Sequence, residues 1–244
     1  MPGVSFTDAE VAAFIILPVL LVAALIAGVW WSWRLAGESA PRAWRAAAIL
    51  TVASAAWMAV TWELAAFGTL RQWNSTPPPF AVLVFTIIVI ALRLTFSTVG
   101  RRLATHVPLW ALVAIQTFRY PLELAMHRLS ERGIMPEQMS YSGLNFDIVT
   151  GITAALVAGF VITGRAGRKV VLAWNVLGSV LLLNIVTIAI LSTPRFRAFG
   201  NDRLNVFITY PPFVWLPAVL VLAALAGHLV IFRALSGHDV GRRR

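Results

Sequence analysis

The sequence predicts an all-α membrane protein, a bundle of seven transmembrane helices forming one domain over residues 1–244, and two observations carry that expectation. Of 244 residues, 59% are hydrophobic and only 12% charged, with a mean hydropathy of +0.80. A soluble domain carries roughly 25% charged residues, so this chain has too little polar surface to face water on every side. The apolar residues also gather into runs that match the ~20 residues needed to cross a bilayer. An ordinary soluble enzyme is excluded on composition alone.

Seven runs meet that length: 11–33, 43–68, 78–97, 104–123, 146–163, 170–192 and 212–232. The first carries Asp8 and Glu10 where a signal peptide would have a basic region, so it reads as a retained helix. The fourth and fifth are the shortest in uninterrupted apolar length. In the fifth, Gly151, Ala155 and Gly159 recur every four residues, a small-residue face suited to close helix packing.

The basic residues set the direction of threading. With the N-terminus outside and the C-terminus cytoplasmic, inner segments hold Arg34, Arg42, Arg45, Arg93, Arg101, Arg102, Arg165, Arg168, Lys169, Arg233 and Arg242 to Arg244. Outer segments hold Arg71, Arg119, Arg128, Arg132, Arg195, Arg197 and Arg203, about half as many. That asymmetry favours N-out, C-in. The net charge of +10 is spread in short clusters between spans, which excludes a nucleic-acid surface. There are no cysteines, so thiolate chemistry and Cys-based metal sites are impossible.

The stretch "QTFRYPLELAMHRL" places Gln116, Arg119, Glu123 and His127 on one helix face at spacings of three and four. A charge inside the bilayer is costly and finds partners within the bundle. Arg119 and Glu123 can pair across one turn, and the run 104–123 puts Arg119 ~6 Å inside the outer boundary. Pro121 removes a backbone donor and bends the helix. The competing expectation ends the span at Tyr120, before the proline, and leaves residues 121–130 as a solvated surface helix.

Other spans bring polar groups to a similar depth: Glu63 in the second, Asn145 and Asp147 at the start of the fifth, and Asn184 in the sixth. With Gln116, Arg119, Glu123 and His127 they define an outward-facing intramembrane polar site for a small polar or charged solute, as a transporter requires. Proton coupling falls to Glu123 or Asp147. A site for an amphiphile or a quinone is a second form of this reading, since Trp57, Trp62, Trp73, Phe213 and Trp215 share that level. A membrane-embedded enzyme acting on a lipid, or using a metal near Glu123, His127 and Asp147, is the alternative. His106 and His228 read as interfacial histidines on the inner side and not as haem ligands, and no cofactor is expected. The single lysine, Lys169, lies outside the last helix, which excludes a retinal protein.

"RYPLE", "NFDIVTG", "AWNVLGSVLLLNI" and "YPPFVWLP" together resemble a family of uncharacterised bacterial seven-span membrane proteins, over Gln116 to His228. The resemblance implies a multi-pass protein of the bacterial inner membrane, with the lipid bilayer as its partner, and implies no activity. "TPPPF" (76–80) and "TYPPF" (209–213) resemble the doubled halves of sugar-transporting SWEET-type proteins. The paired asparagines of those proteins are missing here, so their function is not carried over.

Overall fold

A computed structural model of the chain describes residue 5 and residues 7–237, and among them there are helices and loops but no strand. Arg242, Arg243 and Arg244, used in the charge count, lie outside the described residues. The helices are α1 (Ala9–Leu35), α2 (Ala40–Ala66), α3 (Pro79–Phe96), α4 (Thr98–His106), α5 (Leu109–Ala114), α6 (Arg119–Glu131), α7 (Ile148–Ile162), α8 (Arg168–Leu191) and α9 (Leu222–Ser236). Among the described residues, five stretches are long and apolar enough to cross a membrane: α1, α2, α3, α8 and Leu216–Ser236.

The fourth and fifth runs differ from expectation for local reasons. The fourth does not start at 104. Val107 precedes Pro108 and is extended (φ −77°, ψ 132°), because a proline disfavours the helical region for the residue before it. Residues 104–106 therefore close the short helix α4, and the helix restarts at Leu109. A tight turn at Ile115–Phe118 joins α5 to α6, and α6 runs through Pro121 to Glu131. The expected stop at Tyr120 does not occur, because Pro121 sits in the first turn of α6, where helices tolerate a missing donor. The fifth run is α7, whose 15 residues rise only ~22 Å against a ~30 Å hydrocarbon layer.

The last helix is the centre of the bundle. α3, α4, α5 and α8 all pack on α9, and α1 and α2 reach the wide turn at Leu216–Val221 that precedes it. Pro217 lies in that turn, where a missing N–H makes a regular ladder unavailable. The Trp57 indole N–H donates to the Ala218 carbonyl at 2.8 Å, and the Trp215 indole to Met58 at 3.1 Å. These two bonds staple α2 to the wide turn. The two Pro-Pro motifs also sit differently: Phe80 is inside α3, whereas Phe213 precedes its helix and packs on Phe14 and Phe207.

The apolar interior falls into two clusters. One lies toward the 132–147 and 192–215 loops, with Leu122, Met126, Leu182, Ile185 and Leu220. The other lies toward the opposite side, with Leu112, Val113, Ala154, Trp174 and Ile231. Along α5–α6 and along α9 the residues between the two clusters include Gln116, Arg119 and His228. A polar layer divides the core. Large apolar side chains such as Leu20, Val52, Phe85 and Leu183 are exposed on the outside, an arrangement suited to lipid and costly in water.

Candidate functional site

The polar layer is built by five segments. α6 supplies Arg119 and Glu123, the turn before it Gln116, the start of α7 Asn145, Asp147 and Thr150, and α8 with α9 supply Asn175 and His228. Arg119 is 1% exposed, Glu123 2%, Asp147 5%, and Gln116 and Asn145 0%. Because the helical stretch begins at Leu109, Arg119 lies ~15 Å along it, near its middle. A charge placed there needs a partner.

That partner is Asp147, not Glu123. Arg119 Nη1 donates to Asp147 Oδ1 at 2.8 Å, and the Thr150 hydroxyl donates to the same oxygen at 3.1 Å. Asp147 makes no side-chain cap to α7, because its carboxylate is committed to the guanidinium. Asn145 does the local work instead. Its Oδ1 accepts from the Asp147 N–H at 3.0 Å, while its amide donates to Glu123 Oε2 at 2.7 Å and to the Met139 carbonyl at 3.0 Å. Glu123 has no basic side chain within 4 Å among the described residues. Arg119 Nε and Nη2 are buried without a hydrogen-bond partner, as are Gln116 Oε1 and His228 Nε2.

Gln116 Nε2 donates to the Ala224 carbonyl at 3.3 Å, so it faces α9 and belongs to the layer. Three predicted site residues do not join it. His127 turns toward the loop, with Nδ1 at 2.9 Å from the Ser140 hydroxyl and its ring stacked on Tyr141 at 4.3 Å. The four-residue spacing rotates each step by 40° beyond a full turn, enough over two steps to carry His127 off the face of Arg119. Glu63 is exposed on α2, which packs mainly on α1 and stands away from α6 and α7. Asn184 is half-buried and donates to the Leu144 carbonyl at 2.8 Å, bracing the loop before α7. The predicted level of Trp rings is likewise spent on packing, with Trp62 against Trp215 at 5.1 Å and Trp73 against Phe80 at 5.5 Å.

His228, expected at the inner interface, is instead a member of the layer. It is 1% exposed, its Nδ1 donates to Asn175 Oδ1 at 2.7 Å, and Asn175 Nδ2 donates to the His228 carbonyl at 3.1 Å. The sequence signal was present: Gly178 leaves the space the imidazole occupies. Among the described residues no three His, Asp or Glu side chains converge as a metal site, and His127 lies apart from Glu123 and Asp147.

A cavity of about 420 Å³ borders the layer, lined by Arg119, Glu123, Asp147 and His228 and, apart from Ser179, otherwise by apolar side chains, most of them from α3, α6, α8, α9 and the wide turn. Its loop-side end meets Met139 and Ile208, both buried. The loops above them interlock: Gln138 Nε2 donates to the Ser192 hydroxyl and the Arg203 carbonyl, and Arg71 bridges the Ala65 and Thr209 carbonyls. These interlocked loops form a roof over that end of the cavity.

Fold and site together define an all-helical protein with several membrane-length helices around a buried charged pair. A family model described as a domain of unknown function, DUF8737, matches residues 77–236. The chain belongs to that family, and the matched segment includes every residue of the polar layer. No curated protein and no solved structure matches the chain.

Proposed function

We propose that the chain is a seven-span, single-domain protein of the bacterial inner membrane, N-terminus outside and C-terminus cytoplasmic, that binds a solute's anionic group at Arg119 together with a proton on Glu123. The stretch 109–131 and α7 are the two further spans. The observation that carries this reading is Arg119: a guanidinium 1% exposed that borders a cavity and leaves Nε and Nη2 without partners. Buried donors left unpaired cost free energy, and a planar guanidinium fork suits a carboxylate or phosphate oxygen pair.

Charge balance supplies the coupling. Asp147 already matches the charge of Arg119, so an added anion beside Glu123 is tolerable only when Glu123 carries a proton. Asp147, Asn145 and Arg119 are the polar groups acting on that carboxyl from the surrounding elements. Anion and proton then bind together, which is the arrangement a proton-coupled transporter uses. Asp147 holds Arg119, Asn145 holds Glu123, and Gln116 ties the layer to α9; Glu63, His127 and Asn184 act elsewhere.

Native mass spectrometry of the purified chain tests this. Wild type carries a small anionic adduct that Arg119→Gln loses and Glu123→Gln, a mimic of the protonated acid, retains. Identical adducts on wild type and Arg119→Gln overturn the reading.

A further inference from the structure

The cavity beside Arg119 has a shape that a small solute does not need. Its walls run along α8 from Ser179 to Ile190, ~16 Å at the rise of an α-helix. Apart from the four polar side chains of the layer and Ser179, its lining is apolar. α3 and α8 both pack on α9, and the space over α9 between them is this cavity. Ile88 of α3 and Leu183 of α8 line it and are at the same time 43% and 66% exposed on the outer apolar surface. The roof of loops closes the other approach. A groove that is closed toward the loops and continuous with the apolar belt is reached from lipid.

Resting on the Arg119 reading above, we infer that the ligand is a single-chain amphiphile with an anionic head, entering sideways between α3 and α8. The head meets the unpartnered Nε and Nη2 of Arg119, and the hydrocarbon tail lies along Leu182, Val186 and Ile87. A guanidinium recessed in an apolar groove selects for both parts at once. A purely polar anion leaves the groove walls without contacts, and a neutral or cationic amphiphile leaves the two donors unpaired. Each methylene moved from water is worth about fourfold in affinity, so tail length is measurable.

The experiment is calorimetric titration of the full chain in lipid nanodiscs, corrected against empty discs, with decanoate, acetate and decyltrimethylammonium as probes. Decanoate binds at one site per chain and at least 100-fold tighter than acetate, while decyltrimethylammonium shows no site above empty discs. Val186→Trp, which fills the groove without touching Arg119, weakens decanoate at least tenfold, and Arg119→Gln abolishes its binding. Acetate binding as tightly as decanoate, with both lost in Arg119→Gln, overturns the tail and leaves the Arg119 site standing. Decanoate binding unchanged by Arg119→Gln overturns the head and the function proposed above with it. If Arg119→Gln is not recovered folded, Val186→Trp decides alone, since unchanged decanoate binding in that variant overturns the groove.

Discussion

At the scale of single residues, a helical wheel groups side chains by face but does not choose their partners. Gln116, Arg119 and Glu123 were legible as one buried set because the sequence puts charge and amide at spacings of three and four within apolar surroundings. The pairing of Arg119 with Asp147 was not legible, because it depends on how the loop 132–147 returns to α6. Asp147 was legible as a polar group at the start of the fifth span, but a helix cap and an ion-pair partner look alike in sequence. The small-residue stripe of α7 shows the same limit. A Cβ on Gly151 would collide with the Tyr120 backbone, whereas nothing lies within 4 Å of one on Gly159. Ala155 is exposed, and the packed face is Gly151, Ala154 and Ala158. Gly151→Ala should therefore cost about 1–3 kcal/mol, the usual range for overpacking, seen as a lower midpoint in thermal unfolding. Gly159→Ala should change it by a few tenths at most. Equal effects at the two positions would contradict the close approach of α6 and α7.

At the scale of elements, prolines set the boundaries that hydropathy blurs. Pro108 splits an apolar run into α4 and α5, while Pro121 is absorbed in the first turn of α6, and the difference lies in the conformation of the preceding residue. The short α4 is tied to the α1–α2 loop through Glu38, whose carboxylate accepts from Arg102 at 2.6 Å and from Arg42 at 3.1 Å. The Arg102 bond, then the Arg42 bond, holds the Glu38 carboxyl below its ordinary pKa of 4.5. A group whose pKa is lowered by folding stabilises the fold above the ordinary value and stops doing so as pH falls through the lowered one. Arg102→Gln should thus be slightly less stable than wild type at pH 7, and the gap should narrow as pH falls below the ordinary 4.5 and through the lowered value; a gap independent of pH would rule the latch out. The roof over the site gives a second element-scale prediction. Gln138→Ala removes two donated bonds from a residue 3% exposed and should cost about 1–3 kcal/mol. Hydrogen exchange should quicken in 132–147 and 192–205 together, and quickening in only one loop would show that they do not act as a unit.

At the scale of the whole molecule, composition alone placed most of the surface in an apolar environment, and five membrane-length helices agree with it. What composition does not encode is the polar layer between two apolar clusters, because layer membership depends on the mutual depth of α6, α7, α8 and α9. His228 makes the point: its sequence position near a helix end suggested an interface, but α9 is central and its middle lies opposite Gly178. The threading is open to a direct check, since the chain has no cysteine. Ser142→Cys and Ser39→Cys, both at exposed loop positions, should divide under a membrane-impermeant maleimide applied to intact cells, with Ser142→Cys labelled and Ser39→Cys protected. The reverse pattern would invert the orientation. The claim on which the rest depends is that Arg119 and Asp147 form a buried ion pair inside the bundle, and a double-mutant cycle measures it most directly. Arg119→Gln and Asp147→Asn should each lower unfolding stability by about 3–5 kcal/mol, by stranding the other charge. The double variant should lose much less than the sum, with a coupling of about 1–3 kcal/mol between contacting residues. Strictly additive losses would mean that the two charges do not meet in the folded protein.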